Sequence, residues 1–244
     1  MGDANEGSAA QEALSRLARL IRHREQRYSV WMRRGLVKGA FQSNNDTQED
    51  RYPAIFDFVQ AALGAQSAVN LLSFGCSTGE EVFTLSRRFP NATLRGLDIN
   101  PGNIDICRRR LRERRVRNVS FDRANSTLAE PAESYDGIFC MAVLRDGRLA
   151  RRQPPDCSAL IRFDAFARLL DDFHRCLKPG GLLVIRHSNF RLRDAPIGPR
   201  FEVLLSLPVP PQARSPLYDR DNRLIAGEAY PDAVFRKLTA QTPD

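Results

Sequence analysis

The chain has 244 residues, of which 42% are hydrophobic and 8% aromatic, and it carries a formal net charge of +8. That is enough polypeptide for one large α/β domain with an extension, and the composition excludes a low-complexity or fibrous protein. No run approaches the roughly 20 apolar residues that span a bilayer, and five scattered cysteines without a C-x-x-C pair exclude a disulfide framework or a zinc site.

The first ten residues are polar and lack a basic-then-apolar leader, so a cytoplasmic protein with reduced thiols is expected. Residues 1–7 are expected to be disordered. Ser8 with Gln11 makes a capping box, and Leu14, Leu17, Leu20 and Ile21 form an apolar stripe on a helix reaching Tyr28 or Trp31. Residues 35–50 contain Ser43-Asn44-Asn45-Asp46 and predict a loop. A second helix is predicted from near Pro53, burying Ile55, Phe56, Val59 and Leu63 before Gly64 stops it. Residues 1–68 therefore read as a helical extension and 69–244 as the main domain. The extension either caps the site, with Phe41 and Gln42 near it, or is only a buttress.

Next comes Leu71-Leu72-Ser73-Phe74-Gly75-Cys76-Ser77-Thr78-Gly79-Glu80-Glu81: a buried strand, a glycine-bracketed turn and the acidic start of a helix. Gly75 and Gly79 permit a sharp turn and close approach to a ligand, and the helix start points free N–H groups into the same space. A second apolar run, Thr93 to Leu97, ends in Asp98. An acidic residue about 20 residues past such a turn, at the end of the second strand, is where a doubly wound fold grips a ribose diol.

Asn100 and Pro101 then begin a helix on which Ile104, Cys107 and Leu111 share one face. Its other side carries Arg108-Arg109-Arg110, Arg112 and Arg114, whereas lysine is confined to Lys38, Lys178 and Lys237. No aromatic residue interleaves these arginines, which favours a solvated face over a nucleic-acid footprint. Val119-Ser120-Phe121 is a third strand leading to Asn125 and Ser126, and Tyr135 to Cys140 a fourth, followed by Met141. A polar loop from Arg145 to Pro155, a helix over 158–177, and a fifth strand, Leu182–Ile185, follow. The fifth strand ends in Arg186-His187-Ser188-Asn189. In the tail, Leu217 to Leu224 reads as a hairpin or turn and Val234–Lys237 as a final antiparallel strand.

The turn departs from both phosphate-binding patterns. Ser77 stands where the dinucleotide fingerprint needs a bare glycine, and Glu80 stands where the triphosphate loop needs lysine. A cofactor with a ribose and no phosphate fits better. S-adenosyl-L-methionine is one, and its sulfonium and ammonium suit nearby carboxylates.

The order of these segments resembles a class I S-adenosylmethionine-dependent methyltransferase. Gly75-Cys76-Ser77-Thr78-Gly79-Glu80-Glu81 resembles the first motif of the chemotaxis receptor methyltransferases. Leu177-Lys178-Pro179-Gly180-Gly181 resembles the turn before the fifth strand across the superfamily. The likeness spans roughly residues 69–190. It departs at Met141-Ala142, where the chemotaxis enzymes carry Arg-Asn. The resemblance implies a doubly wound, seven-stranded, mostly parallel sheet. It also implies that Gly75, Cys76, Ser77, Thr78 and Gly79 wrap the cofactor, Asp98 takes the ribose hydroxyls, Ile99 packs on the adenine, Asn125 and Ser126 lie beside it, and Cys140 and Met141 form the floor. Cys76 and Cys140 read as small packing residues rather than nucleophiles.

The implied activity is in-line methyl transfer to a protein carboxylate or a small molecule, with no membrane partner. His187 is the candidate base if the acceptor carries a proton, the alternative being a histidine satisfied by a backbone carbonyl. A non-catalytic cofactor-binding module and an RNA methyltransferase are the other readings.

Overall fold

A computed structural model describes residues 47–65, 67–210 and 215–239, together with the single positions Glu12, Ser15, Tyr28, Met32, Val37 and Phe41. The helix expected from Ser8 and the placement expected for Gln42 lie outside the described residues. In chain order the elements are α1 (Pro53–Leu63), β1 (Asn70–Phe74), α2 (Glu80–Arg88), β2 (Thr93–Asp98), α3 (Pro101–Arg114), β3 (Val119–Arg123), β4 (Tyr135–Met141), α4 (Gly147–Arg152), α5 (Phe163–Cys176), β5 (Leu177–Arg186), β6 (Phe201–Ser206), β7 (Leu217–Tyr218), β8 (Leu224–Ile225) and β9 (Asp232–Lys237).

Seven strands form one sheet in the order β3-β2-β1-β4-β5-β9-β6. The first five pair in parallel, and β9 runs antiparallel between β5 and β6. This is the mostly parallel, doubly wound sheet expected from the sequence, with the final antiparallel strand beginning at Asp232. Chain order reverses across β1 and β4, and open α/β sheets bind ligands at the carboxyl ends of strands beside such a switch point.

Alternation along the strands sorts the core. Leu71, Phe139, Leu182 and Val184 face one layer with Ile55, Phe56 and Val59 of α1, Val82 and Phe83 of α2, and Ile104 and Cys107 of α3. Leu72, Phe74, Ile138, Cys140, Leu183 and Ile185 face the other, with Leu149 of α4 and Phe166, Leu170 and Phe173 of α5. Strands buried on both faces explain why β1, β4 and β5 read as nearly continuous apolar runs.

Two elements differ from expectation. The polar stretch after β4 contains a short helix, α4, whose start is capped by Asp146 accepting from the Arg148 N–H and whose Leu149 is fully buried. Helix α5 begins at Phe163 rather than Ser158, because the Phe163 N–H donates to Asn222 Oδ1 and fixes the entry there. The arginines of α3 are largely tied up within the molecule. Arg108 donates to the Phe121 carbonyl and pairs with Asp122, Arg110 pairs with Glu80, and Arg114 pairs with Glu49 and lies over the Phe83 ring. Among the described residues no helix is long and apolar enough to cross a membrane.

Candidate active site

A cavity of about 210 Å³ opens at the carboxyl ends of β1, β2 and β4. Its wall begins with Gly75, Cys76 and Ser77 after β1. Gly75 and Gly79 adopt φ of 74° and 96°, and between them Ser77, a non-glycine, is also left-handed at φ 51°. A Cβ at Gly75 would stand 2.3 Å from Val143 Cγ2, so only glycine brings this turn against the segment after β4.

The turn is held from β2. The N–H groups of Gly75 and Cys76 both donate to the Leu97 carbonyl, at 2.8 and 2.9 Å. The Ser77 N–H donates to Asp98 Oδ2 at 2.8 Å, and Asp98 Oδ1 accepts from the Asn100 N–H and from Asn103 Nδ2. Asp98 thus fixes Ser77 in its left-handed conformation while lining the cavity itself. Burial raises its pKa to about 6, and these three hydrogen bonds oppose that rise.

Glu81, in the first turn of α2, also lines the cavity. Its Oε1 accepts from the Ser73 hydroxyl at 2.7 Å, and burial raises its pKa to about 7 despite that bond. Ile99, Ala124, Asn125 and Met141 continue the wall. Met32 and Phe41 contribute from the amino-terminal segment, and Tyr52, Phe56 and Arg145 from α1 and the loop after β4. Two observations fit this cavity to a cofactor with a ribose and a cationic end. Ser77 Oγ is buried without a hydrogen-bond partner, and the two carboxylates in the wall, Asp98 and Glu81, stand where a phosphate would be repelled.

A family model described as "Methyltransferase domain" matches residues 65–206. The chain belongs to this methyltransferase family. Among curated relatives, a demethylmenaquinone methyltransferase of Lactococcus lactis is 28% identical over 145 residues, covering 55% of this chain and 52% of that protein. A trans-aconitate 2-methyltransferase of Methylobacterium nodulans is 29% identical over 134 residues, covering 55% of this chain and 43% of that protein. The chain spans about half the length of the curated relatives it matches. Among solved structures, geranyl diphosphate C-methyltransferase from Streptomyces coelicolor A3(2) aligns with a TM-score of 0.41 at 20% identity, covering 55% of this chain and 44% of that one.

Within the methyltransferase domain, Gly75, Cys76, Ser77, Asp98, Ile99, Asn125 and Met141 come together around the cavity. Thr78, Gly79, Ser126 and Cys140 are not among its lining residues. The Thr78 hydroxyl donates to Glu80, and Gly79 is the N-cap of α2. Cys140 is completely buried in the core. Burial pushes the Cys76 and Cys140 thiols well up, which suits packing rather than nucleophilic residues. His187 lines a separate small cavity of about 10 Å³, and its ring lies 5.7 Å from that of Tyr52. It is not among the residues lining the main cavity, which its ring neighbour Tyr52 does line. The sequence did not single out Glu81, Tyr52 or Arg145 as site residues. Glu81 was visible there as a helix-start acid, and its place one turn past the glycine turn was the available signal.

Proposed function

We infer that the protein is an S-adenosylmethionine-dependent methyltransferase acting on a small-molecule acceptor. The observation that carries this reading is the meeting of the Gly75–Gly79 turn, Asp98 and Glu81 at one cavity beside the β1/β4 switch point. When bound, S-adenosylmethionine supplies a methyl group on a positively charged sulfur, already activated for displacement.

The residues of this chain bind, orient and exclude water. Asp98 has acceptor capacity left beyond its three protein donors, and it receives the ribose hydroxyls. Ser77 Oγ gains there the partner it lacks. Ile99 and Met141, which line the cavity, would pack against the adenine, with Asn125 beside it. Glu81 accepts a hydrogen bond from Ser73 and, with lone pairs remaining, would hold the cationic amino end. Met32 and Phe41 line the cavity and would help keep water from the reacting atoms. His187 supports Tyr52 and is not assigned the role of base.

Calorimetric titration with S-adenosylhomocysteine is expected to give one site per chain, competed by S-adenosylmethionine. No detectable heat, or a titration unaffected by Asp98→Ala, would overturn the assignment. Release of S-adenosylhomocysteine in the presence of cell extract separates an enzyme from a pure binding module, which would release none.

A further inference from the structure

One part of the cavity wall is basic and holds two buried polar atoms that make no hydrogen bond. The Tyr52 hydroxyl is buried and hydrogen-bonded to nothing, and so is Arg145 Nε. Both residues line the cavity. Buried polar groups are nearly always satisfied, so two exceptions on residues that line one cavity point to a ligand toward which these side chains turn.

The charges around them are mostly positive. Arg51, Arg145 and Arg186 all lie within electrostatic reach of Tyr52, and Glu81 is the carboxylate that opposes them there. Arg51 also packs over the Tyr52 ring at 5.4 Å. The carboxylate next to Arg145 in sequence, Asp146, is already gripped by Arg148 through Nε and Nη2. Arg145 forms no ion pair among the described residues. Arg186 is buried and donates only to the carbonyls of Leu207, Pro208 and Pro231. Desolvation lowers the pKa of both Arg145 and Arg186. Arg145 is half-buried with its Nε closed off, and the carboxylate that acts on it, Asp146, is shared with Arg148, so an arriving oxyanion gives it a partner of its own.

We propose that Tyr52 and Arg145 form an oxyanion seat in the cavity, and that the methyl acceptor is a small molecule carrying a carboxylate or phosphate bound there. The proposal rests on the methyltransferase reading above and assigns the substrate class to the same cavity. A guanidinium fork and a phenol O–H both present donors, so they select an anionic oxygen over a neutral amide. The cavity is then polarised by function. Asp98 and Glu81 face a cationic cofactor, while Tyr52 and Arg145 face an anionic acceptor.

The test is a calorimetric titration of the full chain saturated with S-adenosylhomocysteine, using succinate, inorganic phosphate and uncharged succinamide as probes. Succinate or phosphate is expected to bind, with succinamide silent, and the better of the two anions identifies which oxyanion the acceptor carries. Arg145→Met is expected to weaken the bound anion about tenfold or more, and Tyr52→Phe about threefold to tenfold, as loss of charged and neutral hydrogen bonds predicts. Arg145→Lys should recover part of the loss, because the charge returns without the fork. Unchanged S-adenosylhomocysteine affinity in each variant shows that the fold is intact. The seat is overturned if the cofactor product binds but neither anion does, if succinamide binds as well as succinate, or if Arg145→Met binds the anion like the unaltered protein. Failure of S-adenosylhomocysteine itself to bind overturns instead the reading on which the seat depends.

Discussion

The two halves of the cavity are built by different means. The half around Gly75, Ser77 and Asp98 is made of backbone: a turn with three left-handed residues, hung on the Leu97 carbonyl and the Asp98 carboxylate. The half around Tyr52 and Arg145 is made of side chains from a helix start and a loop far apart in the chain. The first is fixed by sterics and hydrogen bonds that few other residues satisfy. The second needs only donors placed over a space, and many sequences place them. A cofactor half held by geometry and, on the proposal above, an acceptor half held by chemistry would let one fold keep its reagent while its substrate changes.

The sharpest way to break the backbone half is Gly75→Ala. The added Cβ meets Val143 at 2.3 Å, and the left-handed φ is itself unfavourable for alanine. Strain and overpacking together should cost about 3 kcal/mol or more. S-adenosylhomocysteine binding should disappear even where urea unfolding still shows a cooperative transition. Retained binding would mean that the turn does not approach the ligand as closely as the contact with Val143 requires.

A pair of variants separates the two tasks of Asp98. Asp98→Ala leaves three donors without an acceptor, two of them backbone N–H groups, at about 1–3 kcal/mol for each group left unsatisfied. Asp98→Asn can keep the oxygen that serves Asn100 and Asn103, but its amide nitrogen cannot accept from Ser77. The amide is therefore expected to restore most of the stability and little of the cofactor affinity. Equal recovery of both in unfolding and binding measurements would show that Asp98 is only a structural tie.

How far each half could be read from the sequence follows the same division. Gly75, Gly79 and Asp98 announce themselves because a bare turn and an acid at a fixed distance serve few other purposes. The mostly parallel, doubly wound sheet was legible too, since double burial leaves apolar runs and the superfamily turn at Gly180-Gly181 precedes the fifth strand. Tyr52 and Arg145 were not legible. A tyrosine before a helix proline and an arginine in a polar loop are ordinary, and only tertiary packing leaves both without partners. Helix α4 escaped notice for a related reason: six residues carry too little periodicity to outweigh the surrounding arginines and prolines. His187 followed the right strand, but its left-handed backbone, φ 57°, accompanies a ring packed by Tyr52 and outside the main cavity wall.

The smallest and most discriminating effect comes from pH, and it runs in opposite directions for stability and for binding. Burial raises Glu81 to about 7 in the folded protein, above its ordinary value of 4.5. The neutral acid is therefore the form that folding favours. Its contribution to stability is complete below about pH 4.5 and is lost as pH rises through 7. The ionised form is the one that attracts a cationic amino group. Affinity for S-adenosylhomocysteine should therefore rise about tenfold between pH 6 and pH 8, while the stability of the ligand-free protein falls over the same interval. Asp98 has the same sign but titrates near 6, so more of its change lies lower in pH. Glu81→Gln should flatten both slopes above pH 7, where Asp98 is already ionised, and leave the affinity there nearly independent of pH. Parallel slopes in the unaltered protein, or a slope that persists in the glutamine variant, would place the cationic end of the cofactor away from Glu81.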